Sequence, residues 1–189
     1  VEEGISAREK GYNWVIDSLD GTKYFIKHVP MFFTQVALLK GDEPILGQVY
    51  NPTSNQLFSA SKSNGTKVNG IKVIPNLETS PDKAIVDIDY GGRDSGDIEW
   101  KSQAVKELMK RFYRVKLASG FMACYLVTGG VDAHVVLNES IKLVDILPRR
   151  IIFEESKLET RDVNVHNTPL YIVSNKALVG KVIDILEAI

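Results

Sequence analysis

Period-two alternation of apolar and polar positions marks the first seventy residues. Val15-Ile16 end one apolar run, and Phe32 to Leu39 forms a second segment rich in β-formers. The turn Lys40-Gly41-Asp42-Glu43 leads to a strand over Pro44 to Tyr50. Asn51-Pro52-Thr53-Ser54-Asn55 turns again before Gln56 to Ser61. The segment Gly65 to Val73 is built around Asn69-Gly70, the pair that favours a tight hairpin. Residues 5 to 13 read as a polar loop. Short strands with tight turns predict an antiparallel sheet, and the polar connector Pro75 to Pro81 predicts a boundary, giving parts 1–78 and 79–189.

Beyond the connector the period lengthens. Ala84 to Ile88 reads as a strand. Trp100 to Phe112 reads as an amphipathic helix with Val105, Leu108, Met109 and Phe112 on one side. Arg114 to Leu117 is a strand, Phe121 to Val127 a helix closed by Gly129-Gly130, and Ala133 to Leu137 a strand. Asp145 can cap a helix reaching Glu155, with Pro148 tolerated in its first turn. Tyr171 to Ser174 and Ala177 to Leu186 supply a last strand and helix. Strand–helix alternation of this kind predicts an α/β layer.

Candidate chemistry concentrates at Trp14-Val15-Ile16-Asp17-Ser18-Leu19-Asp20-Gly21-Thr22. Asp17 and Asp20 repel each other unless a positive charge lies between them, and a hard divalent cation such as Mg2+ suits oxygen donors. The bare Asp-x-x-Asp-Gly-Thr string also fits a solvated turn. An EF-hand fits poorly, because Leu19 and His28 fall where that loop needs oxygen ligands. The apolar run before the acids and Phe25-Ile26 after them favour the metal-assisted phosphate site. Asp17 at a strand end can bridge two cations, while Asp20 holds the second. Leu19 offers a backbone carbonyl, Gly21 permits close backbone approach, and Thr22 opens a helix whose free N–H groups attract phosphate.

Trp14 to Phe25 resembles the first signature of the inositol monophosphatase family, W-x-I-D-P-x-D-G-T-x-x-F, with Ser18 in the Pro position. Gly47-Gln48-Val49-Tyr50-Asn51-Pro52, Asn69-Gly70, Leu126 to Ala133 and Tyr171 to Asn175 extend the resemblance over nearly the whole chain. The second signature is retained in part: Asp145 takes its Asp position and Glu155 its Glu position. Val144 replaces the Trp, and Ser156-Lys157-Leu158 replaces Ala-Gly-Gly.

The resemblance implies a layered α-β-α-β-α fold with an antiparallel sheet followed by a mixed or parallel one. It implies a lithium-sensitive phosphatase using two or three Mg2+ ions, with Mn2+ as a substitute. It makes Glu2 a metal ligand, or Glu3 if the Glu-Glu pair is matched from its second member. Asp17, Leu19, Asp20 and Asp145 complete that set, and Thr22 places the attacking water. Substrate contacts fall on Gly21, Thr22, Ser119, Gly120, Asn138 and Asp145. Asn138 stands where the family has a Glu, which weakens an inositol-type ring contact. Lys23, Phe25, Ile26 and Lys27 resemble 3′-phosphoadenosine 5′-phosphate phosphatases, but Met122 replaces the Lys those enzymes carry. The resemblance also places Val1-Glu2-Glu3-Gly4 inside the family's G-E-E-S segment, which two helices and a strand precede in family members, and it implies a homodimer.

Composition narrows the function classes. The chain has 189 residues, 44% hydrophobic and 25% charged, with a formal charge of −1. Without a basic block, a nucleic-acid polymer has no electrostatic footprint here. No apolar run approaches the roughly 20 residues of a membrane span. A single cysteine, Cys124, rules out an intrachain disulfide and makes a reducing cytoplasm the expected setting. A small phosphate monoester is therefore the expected partner. A weakly active or scaffolding family relative is the alternative.

Overall fold

The computed structural model describes residues 4–5, 11–92, 96–118, 120–139 and 141–189. The elements run β1 (Gly4–Ile5), β2 (Tyr12–Asp20), α1 (Thr22–Ile26), β3 (Phe33–Lys40), β4 (Glu43–Asn51), β5 (Gln56–Ser61), β6 (Thr66–Val68), β7 (Ile71–Lys72) and β8 (Ile85–Asp89). There follow α2 (Ile98–Met109), β9 (Arg114–Leu117), a 3-10 helix (Gly120–Thr128), β10 (Ala133–Val136), α3 (Leu143–Glu155), β11 (Glu159–Val165), β12 (Thr168–Ser174) and α4 (Lys176–Glu187). No helix among the described residues is long and apolar enough to cross a membrane.

Two compact units divide the chain. The first contains residues 1–74 together with 142–156, and the second contains 75–141 together with 157–189. The expected cut after residue 78 thus falls a few residues late, and it misses that α3 returns to the first unit.

The first unit is a seven-stranded antiparallel meander in the order β1 to β7. Alternation places Asn13, Val15 and Asp17 of β2 on the buried side and Tyr12, Trp14 and Ile16 on the exposed side. The strand therefore begins well before Val15, within the stretch expected to be loop. Helix α3 packs on the buried side, where Val144 and Leu147 join Val15, Ala37 and Leu39. Gly47 of β4 lies directly beneath that helix: a Cβ there would collide with Pro148 O and with the Ile151 side chain. The hairpin between β6 and β7 pairs Val68 with Ile71, with Asn69 and Gly70 at φ 48° and 81°. Positive φ at both central residues is the turn that the Asn-Gly pair favours.

The second unit holds a five-stranded mixed sheet in the order β11-β12-β10-β8-β9, parallel from β10 through β8 to β9 and antiparallel elsewhere. Its core gathers Val86 and Ile88, Ala104 and Leu108, Val135, Ile172, and Leu178, Val182 and Ile185. The two sheets bear out the expected α/β class with an antiparallel sheet followed by a mixed one.

Several local expectations change. Helix α2 buries Lys101, Ala104 and Leu108, while Met109 is exposed. Met109 sits about 100° round the helix from Leu108, and the buried stripe is too narrow to reach it. Phe112 is buried as expected but lies past the helix end. The apolar segment before Gly129 is a 3-10 helix. Strand β11 escapes the pattern because Glu159, Arg161 and Asp162 load a sheet edge with charge, a common protection for edge strands.

Candidate metal and phosphate site

The first carboxylate, Asp17, is 2% exposed on the buried side of β2 and accepts the Leu19 N–H at 3.0 Å. Strict alternation would put Asp20 on the opposite side. Pairing with β3 prevents this: Asp17 faces Gln35 and Asp20 faces Phe33, so three steps on β2 match two on β3. This β-bulge restores the phase and aims Asp20 at the same side as Asp17. Asp20 is the last residue of the strand, which therefore runs three residues beyond Asp17.

Gly21 then makes the turn at φ 82°, where a Cβ would stand 2.5 Å from Met31 O. Thr22 opens α1, as expected, but the helix is a single five-residue turn. The Thr22 hydroxyl donates to Leu19 O at 2.8 Å, so it fixes the carbonyl expected to serve as a ligand.

The third carboxylate arrives on α3. Asp145 occupies the third helical position and accepts the Lys142 N–H at 3.0 Å, so it closes the first turn from within and is not the cap residue itself. Consequently Pro148 lies deeper in the helix than its first turn. One ligand atom from each of Asp17, Asp20 and Asp145 lies within 4.8 Å of the others.

Burial pushes the Asp20 carboxyl up from 3.8 to about 6. Arg149 opposes the rise, while Asp145, then Asp17, add to it by like-charge repulsion. Gln35 lies across the ladder from Asp17, fully buried, and its Nε2 donates to Asp20 Oδ2 at 2.9 Å. Its Oε1 is buried without a partner among the described residues. Hard oxygen donors, mutual repulsion and an orphaned carbonyl beside them fit a hydrated hard cation such as Mg2+.

Arg149 is the residue the sequence reading missed. It is 4% exposed, and its Nε donates to the Asp145 main-chain oxygen at 2.6 Å, with Nη2 on the same oxygen. The i, i+4 spacing from Asp145 was the available signal. Glu155 serves packing: its carboxylate accepts the Ser63 and Gly65 N–H groups, each at 2.8 Å, tying α3 to the loop between β5 and β6.

Of the remaining expected residues, Glu2, Glu3 and Ser119 lie outside the described residues. Gly120 and Asn138 belong to the second unit: Gly120 opens the 3-10 helix, and Asn138 follows β10 and accepts the Ile141 N–H at 3.1 Å. In that unit Lys101, also unforeseen, is 1% exposed and donates from Nζ to Tyr90 O at 2.8 Å.

Comparison with known proteins adds a separate line of observation. Residues 1–181 match the sequence model of the inositol monophosphatase family. A fructose-1,6-bisphosphatase/inositol-1-monophosphatase of Aquifex aeolicus is 36% identical over 160 residues, covering 82% of this chain and 59% of that protein. The native crystal structure of the extragenic suppressor protein suhB from Bartonella henselae aligns with a TM-score of 0.84 at 17% identity, over 94% of this chain and 70% of that one. An IMPase/NADP phosphatase complexed with Mg2+ and phosphate aligns with a TM-score of 0.81 at 24% identity, over 100% of this chain and 72% of that one. These likenesses give the fold. The chain spans about half to three fifths of the length of the curated relatives it matches.

Proposed function

Because the chain belongs to the inositol monophosphatase family, we propose that it carries the acidic metal site of a Mg2+-dependent phosphatase acting on a small phosphate monoester. The convergence of Asp17, Asp20 and Asp145 within 4.8 Å is the observation that supports this most. Bound Mg2+ would supply Lewis acidity toward phosphoryl oxygens and would acidify a water.

The protein's own groups have distinct tasks. Asp17, Asp20 and Asp145, with Leu19 O and Glu2, would hold the cation. Gln35 steadies the Asp20 carboxylate by donating to its Oδ2. Thr22, held against Leu19 O, orients the attacking water through its hydroxyl oxygen. Gly21 lets the phosphate approach the backbone. An inositol or sugar monophosphate is the favoured class. 3′-Phosphoadenosine 5′-phosphate and histidinol phosphate are the alternatives, and a cytoplasmic homodimer is the working form.

Phosphate release from a panel of inositol, sugar, histidinol and nucleotide phosphates, with and without Mg2+, tests the reading. Mg2+-dependent release from at least one member is expected. Silence across the panel would leave the second reading, a weakly active or scaffolding relative, which the buried Arg149 cation beside the acids favours.

A further inference from the structure

Strand β3 turns Phe33, Gln35, Ala37 and Leu39 to the side that α3 covers, and all four are buried. Three of them are apolar, as a covered sheet face requires. Gln35 is a primary amide with no exposed surface, where a leucine or methionine of similar size would leave no polar atoms to satisfy. Its cross-strand neighbours are Asp17 on β2 and Val49 on β4. One end of the amide is satisfied, since Nε2 donates to Asp20 Oδ2 at 2.9 Å. The other end, Oε1, is buried without a partner among the described residues. Both atoms belong to one planar group and stand roughly 2.3 Å apart. The unsatisfied oxygen is therefore beside the point where Asp17, Asp20 and Asp145 converge. Turning the amide over would set an oxygen against the ionised Asp20, so the carboxylate fixes its orientation. A buried carbonyl without a donor is destabilising, and the described residues supply none. Mg2+ brings donors with it, because it retains several waters and polarises their O–H groups.

We propose that Gln35 is a positioning residue of the metal site whose Oε1 accepts a hydrogen bond from a water of the cation's hydration shell, so that the site prefers a strongly hydrated ion. The proposal rests on the metal-site reading above. The two ends of the amide then have separable effects. The Nε2 contact steadies Asp20 for whatever cation enters. The Oε1 contact acts only through retained water. It therefore favours Mg2+ over Ca2+, whose larger and looser shell admits more protein oxygens directly.

The test is calorimetric titration of the whole chain with Mg2+ alone and with Ca2+ alone, for the unsubstituted protein and for Gln35→Met, with folding followed by circular dichroism. Methionine keeps the length of the side chain and loses both polar ends. Gln35→Met should weaken Mg2+ binding about tenfold more than Ca2+ binding, within the range that partners of metal ligands command. Equal losses for both ions would overturn the proposal and leave Gln35 only a support for Asp20. Unchanged affinity for both would overturn it too, and make Gln35 a packing residue. If Gln35→Met fails to fold, the unsubstituted protein decides. In isotope-labelled protein the Gln35 Cδ resonance should move downfield on saturation with Mg2+, as a carbonyl carbon does when its oxygen gains a donor. A Cδ resonance that stays in place, or moves as far with Ca2+, would overturn the proposal; an ordinary trapped water on Oε1 gives the former result. A chain that binds neither ion would end the metal-site reading itself, whereas one that binds Mg2+ and fails these comparisons ends this proposal alone.

Discussion

At Asp20, burial and two like charges act on a group that Arg149 and Gln35 only partly relieve. Its carboxyl in the metal-free protein is raised from 3.8 to about 6. Between those values the native state holds the proton more firmly than the unfolded chain does, so stability falls as pH rises through that window. Above about 6 the penalty is fully present, on the order of 1–3 kcal/mol by linkage. Asp20→Asn should therefore abolish Mg2+-dependent turnover while leaving the metal-free melting temperature at pH 7 equal or higher. A melting temperature several degrees lower would contradict this. Protons and cation compete for the same oxygens, so apparent Mg2+ affinity should weaken up to about tenfold per pH unit below 6. Mg2+ titrations at pH 5, 6 and 7 measure that slope.

The elements show why the site was partly legible. Asp17 and Asp20 stood out because an apolar run delivers them together, and Asp145 because it matches the Asp of the second family signature. The means of bringing Asp20 into phase was hidden. A β-bulge is a property of pairing between two strands, and residues 14–22 read alone cannot reveal which partner skips. Strands with strong alternation, such as β3, β4 and β5, lay within a residue or two of their expected ends, whereas β11 hid behind its edge charges. Asp132, quoted only as part of a family motif, clamps the second unit by accepting the Ile85 N–H at 2.8 Å and the Thr79 hydroxyl at 2.7 Å. Two substitutions test how α3 is seated. Gly47→Ala drives a methyl into the backbone of α3 and should destabilise by about 3 kcal/mol, as overpacking against main chain does. Glu155→Ala removes a charged acceptor from two N–H groups and should lower stability by about 2–3 kcal/mol. Urea midpoints read both, and a loss below 0.5 kcal/mol in either would mean α3 is held elsewhere.

For the whole molecule, the first unit is discontinuous, since residues 1–74 need 142–156 to cover the sheet and to supply the third carboxylate. A ligand that bridges both segments stabilises their union. At a Mg2+ concentration one hundred times its dissociation constant the gain is about 2.7 kcal/mol. Amide hydrogen exchange should record it as slower exchange in β2, β3 and α3, and unchanged exchange there on adding Mg2+ would speak against a cation linking them.

That discontinuity also matters during synthesis. A nascent chain leaving the ribosome exposes the meander long before α3 emerges, with Val15, Ala37 and Leu39 still bare and only Asp17 and Asp20 in place. Chaperone occupancy should therefore persist until α3 has been made, and only afterwards do the three carboxylates come together.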